Sequence, residues 1–110
     1  MNRVGIYYAY WTQEWDVDFL PFIAKASSLG FDVLEINAGT VAAMASSQRR
    51  ELKKAAADAG IELTFCVGLQ PQYDVASPDE AIRRAGVQYL THMVQGIAET
   101  GGRTLGGIIY

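Results

Sequence analysis

Apolar positions along the chain follow two alternating rhythms. Short β-rich runs at Val4–Ala9, Asp32–Asn37, Ile61–Val67 and Thr104–Tyr110 read as strands, and the stretches between them repeat at helical spacing. Phe19, Phe22, Ile23 and Ala26 share one face of a helix expected from Asp16 to Leu29, with Asp16 as N-cap and Gly30 just past the C-terminus. Ser46 or Ser47 is expected to cap a second helix running through Glu51, Leu52 and Ala55 to Ala59, closed by Gly60. A longer loop, Gly68–Pro78, leads into a third helix capped by Ser77, with Pro78 at its first position and Asp79 and Glu80 in its first turn. That helix is expected to reach Glu99, interrupted or frayed near Gly86 or Gly96.

The order β-α-β-α-β-α-β predicts βαβ units and a parallel sheet. Strand starts near residues 4, 32, 62 and 104 give a repeat of about 30 residues, the spacing of a (β/α)8 barrel. The recurring signatures of leucine-rich and ankyrin repeats are absent. A parallel sheet needs both faces covered, yet the sequence finishes on its fourth strand and leaves strands one and four as open edges. Two architectures meet this pattern: a small open α/β domain, or the N-terminal half of a TIM (β/α)8 barrel. In the half-barrel, an inner face of Ile6, Leu34 or Ile36, and Ile108 or Tyr110 would lack an opposite wall. Self-association or loose folding is then expected, with strand four of one copy pairing strand one of another.

Composition narrows the classes. A chain of 110 residues is one small domain, and 50% hydrophobic with 19% charged residues excludes intrinsic disorder. Nine Lys+Arg against twelve Asp+Glu give a net charge of -3, and no basic cluster exceeds Arg49–Arg50 or Arg83–Arg84, so nucleic acid is not an expected partner. No apolar run approaches the ~20 residues of a membrane span. Arg3 runs at once into Gly5, three tyrosines and Trp11, unlike a leader, so the expected location is cytoplasmic with no membrane partner. A single cysteine excludes an intrachain disulfide, and a single histidine without cysteine partners excludes a zinc knuckle.

In parallel α/β sheets chemistry gathers at the C-terminal ends of the strands. The candidates are Tyr7, Tyr8 and Tyr10; Glu35 and Asn37; Cys66 and Gly68; and Gly107, Ile108 and Tyr110, with Trp11 and Trp15 on the adjoining loop. The aromatic group suits stacking on the C–H faces of a sugar, and equally suits a loop plug in the barrel mouth. Glu35 is the only strand-end carboxylate and could be a base, a metal ligand or a hydrogen-bond anchor, or simply an ion-paired structural residue. Cys66 reads as a small apolar wall residue, because a catalytic thiolate needs a basic neighbour and His92 sits mid-helix as a packing residue. No G-x-G-x-x-G follows a strand, no G-x-x-x-x-G-K-S/T occurs, and strand three lacks a receiver aspartate.

The opening Val4-Gly5-Ile6-Tyr7-Tyr8-Ala9-Tyr10-Trp11 with Glu14-Trp15 resembles the start of the ketose 3-epimerases, the D-tagatose/D-psicose (allulose) 3-epimerase family. So do Leu29-Gly30-Phe31-Asp32 leading into Glu35, and Cys66-Val67-Gly68-Leu69 leading into Tyr73-Asp74 and Ala76-Ser77-Pro78. The resemblance spans the whole chain and implies the N-terminal part of a single xylose-isomerase-like barrel that continues beyond residue 110. It implies C3 epimerisation of free ketohexoses such as D-tagatose, D-psicose and D-fructose in a homo-oligomer. It also implies a divalent metal, manganese with cobalt or magnesium as alternatives, held by two glutamates, an aspartate and a histidine. None of those four maps onto this chain, so no catalytic or metal residue is expected here and the chain alone should be inactive. What maps is one side of the substrate pocket: Tyr7, Trp15, Cys66 and Ile108, with Glu35 no nearer than behind it. The alternatives are a non-catalytic half-barrel assembly module, or another sugar isomerase or endonuclease-type barrel.

Overall fold

The computed structural model describes residues 2–109. Four parallel strands, β1 (Gly5–Tyr7), β2 (Val33–Asn37), β3 (Glu62–Gly68) and β4 (Leu105–Ile108), lie side by side in chain order. The helices are α1 (Leu20–Ser28), α2 (Ala38–Ala43), α3 (Ser46–Ala59) and α4 (Glu80–Glu99), with single 3-10 turns at Tyr8–Tyr10 and Pro71–Tyr73. The predicted α/β architecture with a parallel sheet is present, with one helix more than expected.

Burial alternates along the strands because successive side chains point to opposite faces. Leu34, Ile36, Leu63, Phe65 and Val67 are buried in one core with Ile23, Ala26, Leu52, Ala56, Met93 and Ile97 from the helices. Ile6 is level with Leu34 and Leu63, so it belongs to that helix-covered face, while Tyr7 is level with Glu35 and Thr64 on the other. This corrects the expected inner face: Ile6, Leu34 and Ile36 point to the helices. The uncovered face carries Tyr7, Glu35, Asn37, Thr64, Cys66 and Ile108, and is largely polar. Tyr110, also expected there, lies outside the described residues. Among the described residues β1 pairs only with β2 and β4 only with β3, so both edges are free.

Several boundaries differ from the sequence reading. The first strand stops at Tyr7, and Tyr8 and Ala9 turn into the 3-10 segment. Asp16 does not cap α1, which begins at Leu20 with Asp18 Oδ1 accepting from the Leu20 N–H at 3.0 Å. Neither Ser46 nor Ser47 caps α3; Ala45 holds that place, its N–H donating to Gln48 Oε1 at 2.9 Å. Ser77 accepts from the Asp79 N–H at 3.1 Å, and Asp79 in turn caps α4 through the Ala81 N–H at 2.8 Å. The serine signal is real but acts one step earlier. Gly30 and Gly60 do follow α1 and α3 in left-handed conformation.

The unexpected α2 begins where Asn37 ends β2, its Oδ1 accepting from the Gly39 N–H at 2.8 Å. Its far end is closed by the buried Arg49, which donates through Nε to the Val41 carbonyl at 2.9 Å and through Nη2 to that of Ala42 at 2.6 Å. Helix α4 is continuous through Gly86 and Gly96. Both glycines are buried where α4 presses closest on its neighbours, Gly86 against the Tyr73 backbone and Gly96 against Arg49. Their sequence signal is close packing, not a break.

Candidate functional site

The C-terminal ends of β1, β2 and β3, together with the loops that leave them, enclose a cleft of about 590 Å3. Its lining includes Tyr7 and Trp15 from the first strand and loop, Asn37 and Thr40 from β2 and α2, Cys66 and Gln70 from β3 and its loop, and Tyr89 from α4. Three of the four predicted pocket residues, Tyr7, Trp15 and Cys66, therefore converge. Ile108 does not join them. It stands on the same sheet face, 61% exposed at the β4 edge, while its carbonyl accepts from the Leu69 N–H at 3.0 Å. Glu35 lies one strand over from Tyr7, lining a separate shallow hollow with Val33 and Thr64.

The cleft favours neutral polar groups. Burial pushes the Tyr7 phenol well above its ordinary pKa, and the Cys66 thiol beside it adds to the rise. Burial also pushes the Cys66 thiol up, with the Glu35 charge adding and the Tyr7 hydroxyl opposing. Cys66 Sγ donates to the Ile36 carbonyl at 3.7 Å. A thiol with a raised pKa and a bond to the backbone is poorly suited to nucleophilic attack. His92 is not part of the lining; its Nε2 lies 3.3 Å from the Ala42 carbonyl between α4 and α2.

The remaining walls had weaker sequence signals. Tyr89, stacked on Tyr73 with ring centroids 4.1 Å apart and planes within 9°, reaches the cleft from the middle of α4. Burial raises its pKa too. Thr40 donates to Asp16 Oδ1 at 2.8 Å, which gives the misplaced helix cap its actual role. Asp16 is the only carboxylate in the lining among the described residues, and it already accepts from Thr40. Among the described residues no three His, Cys, Asp or Glu side chains converge as a metal site would require, so this donor set does not fit the divalent metal that the resemblance implies. Among the described residues no helix is long and apolar enough to cross a membrane.

Parallel strands in chain order, helices on one face and a cleft at the strand C-termini are the plan of a barrel built from βα units. The family model described as "Xylose isomerase-like TIM barrel" matches residues 23–108, and the chain belongs to that family. Within it, the chain is similar to D-psicose 3-epimerase of Agrobacterium fabrum, at 34% identity over 96% of this chain and 37% of the relative. It also superposes on a crystal structure of D-psicose 3-epimerase in the presence of D-fructose, with a TM-score of 0.94 and 33% identity over 98% of this chain and 37% of the other. A D-psicose 3-epimerase from Clostridium cellulolyticum H10 with D-tagatose matches at a TM-score of 0.93 and 37% identity, over 96% of this chain and 37% of the other. The chain thus spans about a third of the length of the relatives it matches.

Proposed function

We propose that the chain is the N-terminal part of a single ketose 3-epimerase barrel and supplies one side of its substrate pocket. The observation that carries this reading is the convergence of Tyr7, Trp15 and Cys66 in one cleft whose volume lies within the range of small-molecule sites. Tyr7 and Trp15 offer aromatic faces to the C–H faces of a ketohexose and exclude water from them. Asn37, Thr40 and Gln70 offer hydrogen-bonding groups for hydroxyls. Cys66 shapes the wall. Ile108 lies on the same face and would meet the sugar only from outside the present lining, and Glu35 sits beside Tyr7 on the neighbouring strand, also outside that lining. The candidate substrates are free ketohexoses such as D-psicose, D-fructose and D-tagatose. The divalent metal and both proton-transferring carboxylates belong, in this reading, to the part of the barrel beyond this chain. A cytoplasmic homo-oligomer completes the proposal.

The test is a chimera in which this chain replaces the matching N-terminal segment of the Agrobacterium fabrum enzyme. It should melt cooperatively and interconvert D-fructose and D-psicose. A folded chimera without turnover would refute the pocket assignment, and one that fails to fold would refute the barrel placement. A second reading, a half-barrel assembly module, is favoured by the two free sheet edges. It requires the isolated chain to form a defined dimer by sedimentation, and a monomer with a sharp melt removes it.

A further inference from the structure

Tyr8 does not line the cleft, yet it touches two of the three aromatic residues that do, Tyr7 and Trp15. Its ring is fully buried, edge-on to Tyr7 with centroids 5.1 Å apart and edge-on to Phe19 at 5.1 Å. Its hydroxyl donates to the Trp15 carbonyl at 2.9 Å. Trp15 sits in the stretch between the Tyr8–Tyr10 turn and α1, which has no regular structure, and 61% of the residue is exposed. Packing of the indole itself therefore does little to fix its place. The next residue is tied from the other side, where Thr40 on α2 donates to Asp16 Oδ1 at 2.8 Å. The Thr40 hydroxyl also lies 3.5 Å from the Trp15 carbonyl, a longer contact than the Tyr8 bond, so groups on two different elements bracket Trp15.

We infer that Tyr8 is a positioning residue, its buried hydroxyl holding the Trp15 backbone so that the indole stands as a preset wall of the cleft, with Thr40–Asp16 as the second tie. The inference rests on the ketose-pocket reading only for its effect on sugar binding. A wall fixed before the sugar arrives spares the cost of ordering a loop on binding. The buried hydroxyl suits that task because its burial keeps it a neutral donor.

The experiment uses the chimera. Tyr8→Phe keeps the ring and removes the donor. It should raise KM for D-psicose about three- to tenfold while kcat stays within about twofold, the pattern of lost uniform binding. In a Trp15→Ala background the same change should move KM by less than about 1.5-fold, because Tyr8 acts through Trp15. A separate readout needs no turnover: fluorine NMR of 5-fluorotryptophan chimera, with the Trp15 signal assigned by Trp15→Phe. Without sugar, Tyr8→Phe should shift or broaden that signal, Thr40→Val should do the same, and Thr40→Ser should restore it. An unchanged Trp15 signal, or a KM rise that persists without Trp15, overturns the inference. If the chimera does not turn over, the ketose reading fails while the fluorine signal still decides the positioning role. If Tyr8→Phe does not fold, the Thr40 pair decides it.

Discussion

Gly86→Ala sets two effects of different size against each other. In an exposed helix interior the change would stabilise by about 1 kcal/mol, because alanine gives up less backbone freedom on folding. In α4 a Cβ at position 86 would lie 2.2 Å from the Tyr73 carbonyl oxygen and 2.9 Å from both its carbon and Val75 Cγ1. The obstacle is backbone, so helix and turn must separate by roughly 1 Å to restore contact distance. Overpacking against backbone costs about 1–3 kcal/mol, so after the gain of about 1 kcal/mol the net change is a loss of up to about 2 kcal/mol. Gly96→Ala is the comparison. Its Cβ would meet Arg49 Nε at 3.2 Å and Cζ at 3.4 Å, a milder contact with a side chain. Gain and loss should cancel there to within about 0.5 kcal/mol. Urea denaturation followed by circular dichroism reads both, provided the slope with denaturant is unchanged. Separation of α4 from Tyr73 also disturbs the Tyr73–Tyr89 stack, so Gly86→Ala should raise KM in the chimera where Gly96→Ala does not. A stabilised Gly86→Ala would refute the close approach of α4 and, with it, the placement of Tyr89 in the cleft wall.

Arg49→Met should destabilise by about 1–3 kcal/mol in the same denaturation assay, since it removes the buried charged donor from the Val41 and Ala42 carbonyls and leaves them only the longer Met44 N–H and His92 contacts. Cys66→Ser should keep most of the chimera's activity, because burial raises the thiol's pKa and no basic group lies beside it in the cleft lining; a loss of several orders of magnitude would give it a chemical role. Stability should fall as pH rises above about 10. Tyr7, Tyr8 and Tyr89 all have raised folded-state pKa values, so the unfolded chain releases its protons first and gains from alkali. Tyr7→Phe should flatten that decline in thermal melts between pH 9 and 11, and an unchanged slope would contradict the burial of its phenol.

The fold was legible where one residue type has one structural use. Gly30 and Gly60 closed their helices, and Leu34, Ile36, Leu63 and Phe65 announced a buried sheet by alternation. It was misread where one residue serves two ends. Asn37 both finishes β2 and caps α2, and six residues of Ala38–Ala43 are too short to display a helical period. Asp16 has the right chemistry for a cap, but Thr40, distant in sequence, claims it. Ile6, Leu34 and Ile36 read as inner-face residues because apolar character alone does not tell the helix side of a sheet from the barrel side, whereas Ile108 does stand on the uncovered face. In the site, strand-end residues Tyr7 and Cys66 were visible from topology alone. Tyr89 was not, since nothing local distinguishes a mid-helix tyrosine that reaches a cleft from one that covers a core.

The polar character of the uncovered sheet face bears on synthesis as well as on binding. Each strand pairs with its predecessor in the chain, and the apolar core closes between sheet and helices of this same unit. Such neighbour-to-neighbour contacts form quickly. In relatives of which this unit spans 37%, the remainder takes on the order of 10–40 s to emerge at about 5–20 residues per second. Throughout that interval the core between sheet and helices can already be closed, and the open sheet face presents chiefly Tyr7, Glu35, Asn37, Thr64 and Cys66, with Ile108 as its exposed apolar residue. A largely polar open face is a poor target for sticky encounters, so the residues that make a cleft wettable also lower the aggregation hazard of the unit.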